Sequence, residues 1–98
     1  MKIYGYARVS AKDQKLERQL DSFKQLGIPR QNIYAEKISG KDFCRTEYLK
    51  LCGVLQKDDL LVVPSLDRLG RNYDQITKEW RKITQSIGAN ILVLDMPL

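Results

Sequence analysis

Residues 59–64 read DLLVVP. Leu60, Leu61, Val62 and Val63 form an unbroken apolar run with no polar alternation, and Pro64 closes it. A short run of this kind is the pattern of a strand buried on both faces, and such strands belong to parallel sheets covered by helices. The rest of the chain should therefore supply helices for two sides of a sheet.

It does so on either side of the run. Residues 2–9 alternate: Ile3, Gly5, Ala7 and Val9 make one small apolar face, Tyr4, Tyr6 and Arg8 make the other, and Ser10 continues the second. Tyrosines in mid-strand read as core. A helix is expected over about Asp13–Leu26, with Leu16, Leu20 and Phe23 on one stripe and Gly27 as its stop. NIYAE at 32–36 reads as a second strand, followed by a polar loop, KISGKDFCR, hinged at Gly40. A second helix is expected over Thr46–Gln56, burying Leu49, Cys52 and Leu55. Beyond the central run, Ile76, Trp80, Ile83 and Ile87 mark a third helix over Tyr73–Ile87, stopped by Gly88 before a last strand, NILVLD, at 90–95.

The order β-α-β-α-β-α-β predicts an α/β fold: a mostly parallel four-stranded sheet, order 2-1-3-4, with helices on both faces, of flavodoxin-like type. In such sheets ligands bind off the carboxyl ends of the strands, where strand order reverses. Here that place lies between Val9-Ser10 and Val63-Pro64.

Composition narrows the chemistry. The 98 residues make one small domain, and the net charge of +5, from 17 Lys and Arg against 12 Asp and Glu, favours an anionic partner such as nucleic acid. There is no histidine, hence no Ser-His or Cys-His couple and no imidazole base. Cys44 and Cys52 lack the spacing of a zinc site and read as reduced thiols, so no metal is expected. No apolar run approaches the roughly 20 residues of a membrane span, and the N-terminus lacks signal-peptide architecture. A cytoplasmic protein with no membrane partner is expected.

The two strand ends carry the unusual residues. Arg8 and Ser10 are two apart and would share a face if the strand continues through Ser10. The other end reads SLDRLGRN, 65–72, in which Arg68 and Arg71 are i, i+3 neighbours if helical, with Asp67 just ahead. Arg45 closes the polar loop. Arginine's planar fork of donors matches phosphate and keeps its charge, so several arginines around one serine suit phosphodiester chemistry, with the positive field favouring the serine alkoxide. No Walker-type glycine loop is present. Each feature also has an ordinary reading. Ser10-x-x-Asp13 fits a helix cap, and Arg8 fits an ion pair with Asp13 or Glu36. Asp67, Arg68 and Arg71 fit a helix start, and Arg45 a solvated loop. A non-catalytic basic module docking on DNA or a partner would need the charge without the serine. A receiver-like domain would need acidic strand ends, where this chain has arginines.

YARVSAKDQ at 6–14 with LDRLGRN at 66–72 resembles the catalytic domain of serine recombinases, the resolvase and invertase family. The resemblance takes in Gln14, Gln19, Ser39-Gly40, Arg45 and the whole of DDLLVVPSLDRLGR at 58–71, and runs over essentially the whole chain. It implies site-specific breakage and rejoining of double-stranded DNA, in resolution, inversion or transposition, without metal or cofactor. Ser10 matches the residue that forms a 5′-phosphoserine bond, Arg8, Arg45, Arg68 and Arg71 match phosphate-binding arginines, and Asp67 matches an acidic residue that orients them. Gln14 and Gln19 match polar residues around the site. Thr46, Ala11 and Asp58 depart from frequent proline, threonine and glycine. Val54 stands where some resolvases carry an active-site lysine, for which Lys50 would be a partial substitute. Family members continue into a further strand, a long dimerising helix and a DNA-reading domain. The resemblance thus implies a catalytic core spanning 1–98, inactive alone, whose full-length parent forms a dimer and a synaptic tetramer.

Overall fold

The computed structural model describes residues 1–10, 16–38 and 45–95. Strands β1 (Ile3–Ser10), β2 (Ile33–Ile38), β3 (Leu60–Val63) and β4 (Asn90–Val93) alternate with helices α1 (Leu16–Gln25), α2 (Thr46–Val54) and α3 (Tyr73–Arg81). All strand pairs are parallel, in the order β2-β1-β3-β4. The α/β fold and strand order are those the sequence implies. Asp13, Gln14, Ser39, Gly40 and Cys44 lie outside the described residues.

The sheet is buried on both sides, as the DLLVV run requires. Val62 joins Ala7, Phe23 and Ile28 under α1, whereas Leu61 and Val63 join Tyr4, Tyr6, Tyr48, Leu51 and Ile83 under α2 and α3. Gly5 is needed beneath Phe23, because a Cβ there would lie 2.8 Å from the ring's Cδ2. Gly27 and Gly88 end their helices at φ of +81° and +85°, the left-handed conformation that glycine adopts without steric cost. Asp58 also has a positive φ, +72°, a conformation that glycine adopts more readily than a residue with a Cβ.

Several details correct the sequence reading. The second helix ends at Val54, two residues before the expected Gln56, and buries Tyr48 and Leu51. Leu49 is 63% exposed rather than buried, while Leu55 is buried just past the helix end. Tyr48 wins the inner face because its ring packs 5.2 Å from that of Tyr6. Trp80 leaves the apolar stripe and is 36% exposed, with Ile83 fully buried. Past Arg81 the helix widens into a π-helix, Lys82–Ile87. There the Thr84 hydroxyl donates back to the Trp80 carbonyl at 2.8 Å, a bond that competes with the helical ladder. The last strand stops at Val93, with Leu94 and Asp95 in a turn. No helix among the described residues is long and apolar enough to cross a membrane.

Asp59 pins the start of β3. It is buried and accepts from the backbone amides of Lys2 at 3.0 Å and Gln56 at 2.9 Å, and these bonds hold its carboxyl below the ordinary range against the opposing effect of burial. A depressed folded-state pKa stabilises above the unfolded carboxylate's pKa and ceases to do so as pH falls through the folded value. Asp59→Asn is therefore expected to cost about 1–3 kcal/mol near neutral pH. In urea titrations across pH, its gap from the native chain should close in acid.

Candidate active site

The carboxyl ends of β1 and β3 bring three arginines together. β1 carries Arg8 at its end, in register with Glu36 of β2, and runs through Ser10, opposite Ile38. Positions 8 and 10 thus fall on one face of the strand, the face that also carries Tyr4 and Tyr6. The Ser10 side chain lies outside the described atoms. Arg45 sits at the N-cap of α2. Beyond Pro64 the chain folds into a single 3-10 turn, Leu66–Arg68, which presents Asp67 and Arg68.

These residues interlock largely through backbone oxygens. Arg8 Nη2 donates to the Asp67 carbonyl at 3.4 Å, and Arg45 Nη2 donates to the Arg68 carbonyl at 3.1 Å. Arg68 Nη1 lies 3.2 Å from Asp67 Oδ1, which also accepts from the Ser65 hydroxyl. Carbonyls hold a guanidinium without neutralising it. Burial lowers the Arg8 pKa, Tyr6 raises it, and the nearby charges of Arg45 and Arg68 lower it again. Even so, an arginine remains protonated at any working pH. Like charges crowded in this way are relieved by a bound anion, and a phosphate diester suits the forked donors.

A buried polar frame supports the cluster. The Tyr6 hydroxyl donates to Glu36 Oε2, while Glu36 Oε1 accepts from the Glu47 amide in the first turn of α2 at 2.9 Å. Burial, with the bond to Glu36, pushes the Tyr6 hydroxyl well above its ordinary pKa. The Arg45 Cζ lies 3.9 Å from the Tyr48 ring centroid. Glu36 appears in the sequence reading only as an ion-pair candidate for Arg8, and Tyr48 not at all. The parallel register of Arg8 with Glu36 is the signal that points to the former.

The remaining candidates sit on α1, on α2 and in the segment that follows the 3-10 turn. Arg71 is not a helical neighbour of Arg68, because the 3-10 turn ends at Arg68 and the chain bends before α3. Arg71 is exposed, and its backbone amide donates to Gln75 Oε1 at 2.7 Å. Gln19 is buried on α1, its Oε1 has no hydrogen-bond partner among the described residues, and it lines a cavity of about 210 Å³ with Ser22, Pro64 and Asp95. Lys50 is exposed, with Nζ 3.4 Å from Glu47 Oε1. Val54 ends α2 and is exposed. Thr46 begins that helix, the first-turn position where proline is well tolerated. No group of three or more Cys, Asp or Glu side chains among the described residues converges as metal ligands would.

Comparison with known proteins bears on the family and the fold. The family model described as the resolvase N-terminal domain matches residues 3–97. A resolvase of Clostridium perfringens is 38% identical over 87 residues, covering 89% of this chain and 44% of its own length. The transposon Tn501 resolvase of Pseudomonas aeruginosa is 38% identical over 81 residues, covering 83% of this chain and 41% of that protein. Among solved structures, the N-terminal catalytic domain of TP901-1 integrase shares the fold with a TM-score of 0.69, at 21% identity, over 97% of this chain and 78% of that one. The chain belongs to the resolvase N-terminal domain family, and it spans under half the length of these two resolvases.

Proposed function

We propose that this chain is the catalytic domain of a site-specific serine recombinase. The observation that carries the proposal is the convergence of Arg8, Arg45 and Arg68 where β1 ends in Ser10. In this reading the Ser10 oxygen attacks the scissile phosphorus and its proton leaves the hydroxyl. The bond from phosphorus to the 3′ oxygen breaks, and that oxygen departs as a 3′-hydroxyl after taking up a proton. DNA remains joined to Ser10 through its 5′ phosphate. Attack by a 3′-hydroxyl on that phosphoserine reverses the step and rejoins strands, so bond energy is conserved without a high-energy cofactor.

The arginines bind the phosphate and stabilise the extra charge of the transition state, which selectively lowers the barrier. Asp67 orients Arg68, and Arg71 and Gln14 complete the phosphate surroundings. Gln19 and Lys50 are supporting residues. The partners are double-stranded DNA in the cytoplasm and further copies of the chain, as dimer and synaptic tetramer.

The test joins the domain, through a helical linker, to an unrelated sequence-specific DNA-binding domain, with a supercoiled plasmid carrying two target sites. Recombinant circles are expected at undiminished yield in EDTA, and Arg68→Ala should lower their rate about 10²–10³-fold. A folded, site-bound fusion giving no recombinants, or giving them only with added metal, would count against the proposal.

A further inference from the structure

The geometry points to Tyr48, anchored by Glu79 of α3, as the positioning residue that sets the Arg45 guanidinium in the phosphate site. The inference rests on the reading of Arg45 as a phosphate ligand.

Tyr48 is 1% exposed, yet three of its surfaces meet polar or charged groups. One ring face carries the Arg45 guanidinium at 3.9 Å, and the ring also packs at 59° against Tyr6. Its hydroxyl donates to Glu79 Oε1 at 2.6 Å. Lys82 and Cys52 complete the surroundings: Lys82 Nζ lies 5.8 Å from the ring centroid and 3.8 Å from Glu79 Oε1, and Cys52 packs against the same core cluster. A residue serving only to fill the core would not require a hydroxyl tied to a carboxylate on another helix.

The chemistry explains the choice of an aromatic support. A carboxylate beside Arg45 would compete with a phosphate for the same donors. A ring face attracts the cation through its quadrupole and leaves the edge donors available for an anion. Tyrosine has few rotatable bonds, and the bond to Glu79 fixes its far end, so little freedom is lost when Arg45 engages. A chain of contacts then runs from Glu79 through Tyr48 and Arg45 to the Arg68 carbonyl, coupling α3 to the arginine cluster.

The test has two arms. In the isotope-labelled 98-residue chain, the Arg45 Nε–Hε resonance should be shifted upfield by the ring current, and the shift should persist in Tyr48→Phe and vanish in Tyr48→Leu. In the DNA-binding fusion, Tyr48→Leu should slow cleavage about tenfold, and Tyr48→Phe and Glu79→Ala about threefold, with DNA affinity unchanged. Should Tyr48→Leu not fold, Tyr48→Phe and Glu79→Ala carry the cleavage arm. The inference is overturned if folded variants cleave at the native rate, or if the Arg45 resonance is the same with and without the ring. A native fusion that makes no Ser10 adduct sinks the recombinase reading instead, and the resonance arm still decides the Arg45–Tyr48 contact.

Discussion

Ser10→Ala is expected to abolish recombination, a fall of at least about 10⁴-fold, with folding and DNA affinity retained. The size of the effect follows from the absence of any substitute. The sequence contains no histidine to activate a water molecule. The two tyrosines nearest the arginines are committed elsewhere, Tyr6 to Glu36 and Tyr48 to Glu79. Burial and these bonds raise both phenols far above their ordinary pKa, which makes them poor nucleophiles. Position 10 is the end of a strand paired with β2, so removal of one oxygen leaves the backbone in place. Recombination of a two-site plasmid, measured beside circular dichroism and binding titrations, checks the prediction. Residual recombination above about a hundredth of the native rate would show that the serine is not the nucleophile.

The largest effect on stability is expected at Phe23. It is fully buried, and its ring lies over Gly5 so closely that an added Cβ would clash with it. Ala7, Ile28 and Val62 complete the cluster under α1. Phe23→Ala removes the ring and leaves a cavity between α1 and the sheet that rigid strands cannot collapse to fill. The expected cost is about 3–5 kcal/mol, a large share of the roughly 5–15 kcal/mol that holds a domain together. Urea denaturation should show a lower midpoint at little changed slope. A loss below about 1 kcal/mol would mean that α1 does not rest on Phe23.

Much of the fold is legible because burial leaves a local mark. The DLLVV run, the alternation through Tyr4, Tyr6 and Arg8, and the stops at Gly27 and Gly88 all act within a few residues. The inner face of α2 is different. Leu49 with Cys52 and Tyr48 with Leu51 are equally good helical pairs by spacing. What selects the second is the Tyr6 ring on β1, a contact between helix and sheet that spacing within α2 does not show. Trp80 misleads for a related reason, since the Thr84 bond and the π-helix change the angular spacing on which the stripe depends. The clustering of Arg8, Asp67 and Arg68 is legible, because strand ends and topology suffice to bring them together, and Arg45 joins them from the N-cap of α2. The helical spacing assumed for Arg68 and Arg71 does not apply, because the 3-10 turn ends at Arg68. Glu36 and Glu79 go unread as supports, since their roles exist only through partners on other elements.

The central claim is the bond between Ser10 and DNA, and trapping it tests that claim most directly. The fusion would be incubated with a two-site duplex end-labelled on the strand to be cut, then denatured and resolved by size, with the attached peptide sequenced. A protein–DNA species joined through a 5′ phosphate at Ser10, with a free 3′-hydroxyl on the other fragment, is the predicted result. A folded, site-bound protein giving no adduct, or one joined through another residue or a 3′ phosphate, would contradict it.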